Sequence, residues 1–180
     1  MNVTREEIFG IDKTIQAVQS SLYEYLASIW QGSVYGYGRA YKNVGAQGTV
    51  KPELYVGGGD YKDVFLDDRK SASFFFLQGD SDNTSDDLLF TSDVKVIVMV
   101  NLDKIYEKKG ERNDARAESD VIKALREFEM GRYTINRTQR GLRNVFSGMD
   151  IESIKFSDIH PYYCFSVDLD LEYYTTDNCY

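Results

Sequence analysis

Histidine, cysteine and long apolar runs are all scarce in this sequence. Its 180 residues include one histidine and two cysteines, so few side chains are suited to a nucleophile and base pair. The longest apolar runs, such as residues 96–100, fall far short of the roughly 18 residues that span a bilayer. Basic residues number 21 against 29 acidic ones, which excludes general coating of nucleic acid, because phosphate binding requires clustered cations. We therefore expect no membrane contact and no DNA-coating surface.

The residues that could act as a nucleophile or cradle a phosphate do not form a recognisable pattern. His160 and Cys164 would lie about 13 Å apart on a strand with its rise of about 3.3 Å per residue, which is too far for a hydrogen bond. The segment Gly36-Tyr37-Gly38 is followed by Tyr41 where a dinucleotide-binding loop requires a third glycine. Neither segment therefore predicts catalysis.

Acidic clusters raise the alternative of a metal site. The segment from Asp80 to Asp87 is rich in carboxylates, but Ser85 stands where an EF-hand calcium loop requires glycine. The acids Asp168, Asp170 and Glu172 could hold magnesium in a nuclease, but no lysine lies beside them in the sequence to complete such a site. We predict that the protein is not an enzyme, with no catalytic or metal-binding residues and no cofactor. A metal-dependent nuclease or hydrolase is an alternative.

Helical periodicity is clearest at the N-terminus. Thr4 and Glu7 form a capping box, and apolar residues then recur every three or four positions from Ile8 to Ile29. Gly10 interrupts this stripe at a cost of about 1 kcal/mol relative to alanine, which leaves open a later start at Asp12. The sequence thus predicts a long amphipathic N-terminal helix.

Alternating and aromatic segments predict strands in most of the remaining chain. The clearest are Asp93 to Tyr106, with apolar residues on both faces, and Tyr163 to Tyr173, with one apolar and one acidic face. The other predicted elements are strands and turns over 33–66, a strand over Ala72 to Gln78, a polar loop over Gly79 to Asp87, a helix over Asp114 to Met130, a connection over Gly131 to Thr138 and a short helix over Gln139 to Phe146.

Charge is distributed unevenly along the chain. Nine aspartates lie between Asp60 and Asp93, whereas a later basic stretch contains no acid. Opposite charges on two different surfaces favour a head-to-tail contact between copies, and the 14 tyrosines and 10 phenylalanines agree with an interface, where aromatic residues are enriched. The candidate interface residues are Arg132, Arg137, Arg140 and Arg143 on the basic side and Asp80, Asp82, Asp86 and Asp87 on the acidic side.

The order of the predicted elements resembles the tail terminator and tail completion proteins of tailed bacteriophages. The resemblance rests on the N-terminal helix, the strands that end in Phe74 to Leu77, the strand at Asp93 to Tyr106, the helix at Asp114 to Met130 and the strand that follows His160-Pro161. It spans nearly the whole chain but includes no diagnostic motif. A head-tail connector or neck ring protein fits the same pattern.

The resemblance implies both a fold and a function. The implied fold is a single α+β domain over residues 1–180, with a long N-terminal helix and a second helix packed on a mainly antiparallel sheet. The implied function is structural: a homo-oligomeric ring in the virion neck or tail, assembled in the host cytoplasm. The ring would join the portal or connector to the tail proteins and let DNA pass through its lumen without specific binding. The alternative hypothesis is a non-catalytic intracellular assembly or interaction module.

Overall fold

The computed structural model describes residues 1–6, 8–45, 47–84, 89–107, 112–128, 133–152, 154, 156 and 159–175. Strands are the main elements of this part of the chain, and none of its helices is long and apolar enough to span a bilayer. The strands are β1 (Asn2–Val3), β2 (Val34–Val44), β3 (Val50–Gly57), β4 (Asp60–Asp63), β5 (Ala72–Thr84), β6 (Leu89–Asn101), β7 (Tyr133–Arg140) and β8 (Tyr162–Tyr174). The helices are α1 (Ile11–Ile29), α2 (Leu102–Ile105), α3 (Asp114–Glu127) and α4 (Leu142–Val145).

The eight strands of the described residues form one mixed sheet. The sheet order is β4, β3, β2, β5, β6, β8 and β7, and β1 pairs with β2 beside this path. β2 runs parallel to both β1 and β5, whereas the other pairs are antiparallel.

The predicted fold class is therefore wrong. It expected a mainly antiparallel sheet with a long N-terminal helix and a second helix packed on it, but a mixed sheet of eight strands makes up most of the structure. β2 and β5 are parallel because β3, β4 and the segment after them return the chain to the end of the sheet where β2 began. The residue pattern within a strand does not reveal the direction of its partner.

Helix α1 begins at Ile11 and not at the predicted capping box. Gly10 precedes it with a φ of 55°, in the left-handed region that favours glycine. Arg5 donates its backbone N–H to Gln16 Oε1 at 2.8 Å, and Gln16 Nε2 donates to the Arg5 carbonyl at 3.1 Å. These two bonds hold Arg5 against the side of the helix at Gln16. Of the two predicted starts, Asp12 is therefore closer to the observed start at Ile11.

Alternate residues of the central strands face two separate apolar clusters. In β6, Val94, Val96 and Val98 pack with buried residues of α1 and α3, whereas Ile97 and Met99 face the opposite side. The segment after β4, together with α4 and the residues that follow it, covers this second side. Both faces are therefore apolar near the middle of the sheet.

The apolar cover of the second face ends partway along the strands. On that face, the alternation of β6 continues from Ile97 to Lys95 and Asp93, and that of β8 continues to Asp168 and Asp170. These four residues are not part of the apolar cluster. The uncovered half of the face is therefore polar, and the candidate site lies there.

The two segments that precede and follow Arg140 differ from the prediction. Strand β7 occupies most of the predicted connection and pairs with β8, with a register shift between Ile135 and Arg137. The predicted helix over Gln139 to Phe146 is reduced to the four residues of α4, which Gly141 precedes with a φ of 82°. Pairing with the edge of β8 outweighs the local helical pattern.

The predicted polar loop after Gln78 is largely strand. β5 continues to Thr84 and resumes pairing with β6 at Asp82, after a register shift. An aspartate-rich segment is a weak strand former, so this extension depends on the backbone bonds that β6 supplies.

Candidate functional site

Three neighbouring strands bring charged and polar side chains together on the uncovered half of the sheet. The register places Lys95 of β6 opposite Asp168 of β8, and Asp168 opposite Arg137 of β7. Side chains directly opposite each other on antiparallel strands lie close enough to interact. The row therefore joins residues that are more than 70 positions apart in the sequence.

Arg137 and Asp168 form the ion pair at one side of this row. Arg137 Nε lies 2.6 Å from Asp168 Oδ2, and Gln139 Nε2 donates to the same oxygen at 3.2 Å. The hydrogen bond to Asp168 raises the pKa of Arg137. The carboxylate is mostly buried, with 16% of its side chain exposed, whereas the arginine side chain is 68% exposed. Arg137 is thus anchored at one nitrogen while most of its side chain faces solvent.

Lys95 lies deeper in the same region. Its Nζ donates to Gln139 Oε1 at 3.0 Å and to the Val145 carbonyl at 3.3 Å. Burial lowers the pKa of Lys95, and the neighbouring carboxylate of Asp168 acts in the opposite direction. The ammonium group therefore bonds directly to neutral oxygens, and its charge remains only partly compensated.

A pair of like charges lies further along the same two strands. The register places Asp93 of β6 opposite Asp170 of β8. Partial burial raises the pKa of Asp93, and so do its hydrogen bond with Asp170 and the charge of that residue. Asn136 Nδ2 donates a hydrogen bond to Asp170 Oδ1 at 2.7 Å. This end of the row is acidic, whereas the end near α4 is basic.

Two adjoining depressions open over these residues. The first has a volume of about 470 Å³ and combines charged side chains with an apolar floor that includes Leu77, Val145 and Met149. The second, of about 660 Å³, lies between β7 and α4 and is called here the basic trough. Among the described residues, those that line the basic trough are Lys95, Arg137, Thr138, Gln139, Arg140, Arg143, Asn144 and Ser147, with no acid among them.

Arg140 at the rim of the basic trough is tied to α3. Its Nε and one terminal nitrogen each lie 2.6 Å from the two carboxylate oxygens of Glu118. Tyr163 also donates its hydroxyl proton to Glu118, which is 7% exposed. Burial and this carboxylate raise the pKa of the Tyr163 hydroxyl above its usual range. Arg140 is therefore part of an internal network that joins β7, α3 and β8.

The structure separates the predicted basic interface residues into two kinds. Arg137 and Arg140 are paired with carboxylates of their own chain. Arg143 is exposed on α4 and forms no ion pair with any described residue. Arg132 lies outside the described residues.

Two of the predicted acidic residues, Asp80 and Asp82, lie on β5, which β6 and β8 separate from β7. Asp80 forms an exposed ion pair with Lys42 at 2.6 Å. Asp82 accepts the hydroxyl proton of Tyr173 at 2.7 Å and amide protons of Gln78 at 3.1 Å. Asp86 and Asp87, which complete the predicted acidic set, lie outside the described residues. Within the described part of the chain, no predicted acid pairs with a predicted arginine.

Three residues of the site were not predicted from the sequence. Glu118 binds Arg140, and Lys95 and Gln139 line the basic trough. We also expected no lysine beside the acids of the closing strand, but Lys95 stands opposite Asp168. An alternation count over β6 places Lys95 on the side opposite the valines, but only the pairing of β6 with β8 brings it to the acids.

The alternatives of a metal or thiol site gain no support from the geometry. No group of three or more histidine, cysteine, aspartate or glutamate residues with the geometry to hold a metal ion occurs within the described ranges. Cys164 is buried in the apolar cluster of the second face. His160 Nε2 instead lies 3.8 Å from Asp103 Oδ1.

The site combines anchored arginines, a partly compensated lysine and one arginine without an ion-pair partner among described residues. Such a surface can accept a carboxylate or another anion through charge-assisted hydrogen bonds. Comparison with known proteins gives no family to which the chain can be assigned, because no family model and no curated protein matches it.

Proposed function

We propose that this protein is a structural subunit that assembles head to tail into a homo-oligomeric ring in the neck or tail of a tailed bacteriophage. The observation that carries the proposal is the contrast between the two edges of the sheet. Edge strand β4 has two aspartates among its four exposed residues, whereas the basic trough lies beside the opposite edge strand, β7. Two different, complementary surfaces are what a head-to-tail contact requires.

The position of these surfaces supports a ring of several subunits. The two surfaces lie at opposite edges of the sheet, so a head-to-tail contact made at one edge leaves the unlike surface at the other edge available to a further copy. Each added copy offers the same pair of surfaces to the next. If the rotation between copies closes, the product is a ring with a fixed number of subunits.

Both edge strands have features that hinder uncontrolled strand addition. β4 has four residues, three of them charged, and β7 contains a register shift and exposed arginines. Short, charged or bulged edges prevent sheets from joining edge to edge. Contacts between side chains of β4 and those of the basic trough are therefore favoured over a continuous intermolecular sheet.

The phage location rests on the resemblance in the order of predicted elements. A ring in the neck or tail would contact portal or connector proteins and tail proteins on its two sides. The net charge of −8 suits such a ring, because carboxylates around a channel repel the phosphates of passing DNA.

Mass photometry of the purified chain over a wide concentration range tests the ring. We expect one large species with a constant subunit number, and negative-stain images of closed rings. A monomer at every concentration up to the highest soluble one would refute the proposal. A parallel assay for metal-stimulated hydrolysis of DNA tests the alternative of a metal-dependent nuclease, and activity there would also count against a structural role.

A further inference from the structure

The antiparallel strands β3 and β4 form a hairpin at one edge of the sheet. Its turn contains Gly57, Gly58 and Gly59, all with positive φ, and an added Cβ at any of them would meet nothing within 4 Å. The strand β4 that follows is exposed along its whole length. The tip is therefore exposed at the sheet edge and accessible to another molecule.

The hairpin tip carries both an acidic and an apolar surface. Asp60 forms no ion pair with any residue that the structure describes, and it is exposed. Val56 and Tyr61 flank the turn with 37% and 46% of their surface exposed. The tip thus offers one unpaired carboxylate between two apolar side chains.

The basic trough has the complementary chemistry. It is lined by four cations, whereas two carboxylates, Asp168 and Glu118, pair with arginines at its rim. An excess of two positive charges remains in a chain whose net charge is −8. Of these four cations, Lys95 bonds only to the neutral oxygens of Gln139 and Val145, and Arg143 is the exposed one that forms no ion pair in the described part of the chain. The adjoining depression has an apolar floor in which Val145 is buried and Met149 is partly exposed.

We propose that the β3–β4 hairpin of one copy docks into the basic trough of the next, with Asp60 paired to Arg143 and the apolar residues of the tip against the partly exposed Met149. This inference rests on the proposed ring and identifies its contact. The hairpin and the trough lie toward opposite edges of the sheet, so one subunit uses both at once. The same geometry excludes docking of the hairpin into the trough of its own chain.

A charge-reversal cycle tests this contact. The variants are Asp60→Arg, Arg143→Glu and the combination of both in one chain, with Arg126→Glu on the exposed side of α3 as the matched control. Each single reversal places like charges together. We expect it to raise the concentration for half-assembly about tenfold, which corresponds to about 1.4 kcal/mol. The combined variant restores the pair and brings the concentration back to within about threefold of the wild type.

A cysteine pair gives a second readout that does not depend on charge. Chains with Asp60→Cys and chains with Arg143→Cys, each in a Cys179→Ser background, are mixed and oxidised. We expect a disulfide-linked dimer in the mixture at a much higher yield than in either chain alone. Circular dichroism of each variant confirms that the monomer is folded.

The outcomes separate this inference from the proposed function. If the wild type forms rings and the reversals leave assembly unchanged, or if no mixed disulfide forms, the hairpin contact is refuted while the ring stands. If the wild type never assembles, the proposed function fails. If inorganic phosphate or a short DNA strand binds the basic trough of the assembled wild type, the trough is not filled by a hairpin, which also overturns the inference.

Discussion

Replacement of Arg140 by methionine gives a direct test of the internal network beside the basic trough. The change removes the guanidinium group but keeps an unbranched apolar stem of similar length. Glu118 then loses two hydrogen bonds of 2.6 Å and keeps that from Tyr163. Its carboxylate, 7% exposed, is left without a cation. We therefore expect Arg140→Met to destabilise the folded chain, although Arg140 appears in the sequence as a surface charge.

The expected loss lies between two limits. Removal of one partner from a fully buried ion pair costs about 3–5 kcal/mol, and an exposed pair contributes about 0.2–1 kcal/mol. The side chain of Glu118 is 9% exposed and that of Arg140 is 63% exposed, so solvent screens one partner only. We expect a loss of about 2 kcal/mol in the free energy of unfolding. For a chain of this size, that corresponds to a decrease in Tm of about 4–8 °C.

Thermal and urea unfolding of the wild type and four variants provide the measurement. Arg143→Met is the matched control, because Arg143 has no ion-pair partner in the described residues and its loss should change stability by less than about 0.5 kcal/mol. Glu118→Gln, alone and combined with Arg140→Met, completes a double-mutant cycle. The cost of Arg140→Met should be smaller when residue 118 is neutral. Equal melting temperatures for Arg140→Met and Arg143→Met would refute the network.

Three further changes test other parts of the fold. The hydrogen bond from Arg69 lowers the pKa of Asp67 from 3.8 to about 2. The ionised carboxylate therefore adds to the free energy of unfolding above pH 3.8, and this contribution is lost as the pH falls toward 2. Between these pH values the stability of Asp67→Asn should fall less steeply than that of the wild type. Gly36→Ala should lower stability by about 1–3 kcal/mol, because its Cβ would lie 2.6 Å from Cζ of the buried Phe74; unchanged urea unfolding would contradict this. Gln19→Leu should lower the free energy of unfolding by about 1–3 kcal/mol, because Gln19 Nε2 donates to the backbone carbonyls of β1 and β2 at 2.9 and 3.2 Å. Unaltered hydrogen exchange of the β1 amides in this variant would contradict the prediction.

Sequence patterns located the elements with a strong apolar signal. The predicted strand over Tyr163 to Tyr173 differs from β8 by one residue at each end, and the helix predicted from Asp114 begins at that residue. In both cases one face is buried along the whole element, so the period of the apolar residues reports the structure directly. The predicted fold class failed at the next level, because strand order and direction depend on partners that are distant in the sequence.

The polar elements could not be predicted by the same reasoning. β7 has exposed residues at alternating and adjacent positions, interrupted by a register shift, so no period of two is present. The far half of β5 is exposed and rich in aspartate. Both segments are strands because β8 and β6 provide hydrogen-bonding partners. Tertiary pairing outweighs β-propensity in such positions.

The pairing of the arginines limits what charge patterning can reveal about an interface. Arg137, Arg140 and Arg143 look alike in the sequence, but strand β8 places Asp168 beside Arg137 and helix α3 places Glu118 beside Arg140. A charge that is already paired contributes little to binding a new partner, because a new contact must first compete with the internal one. The chain therefore has fewer cations available to a partner than its basic stretch suggests. Because Arg143 is the one of these three without an internal partner in the described residues, specificity for a neighbouring subunit must depend as much on the shape of the basic trough as on its charge.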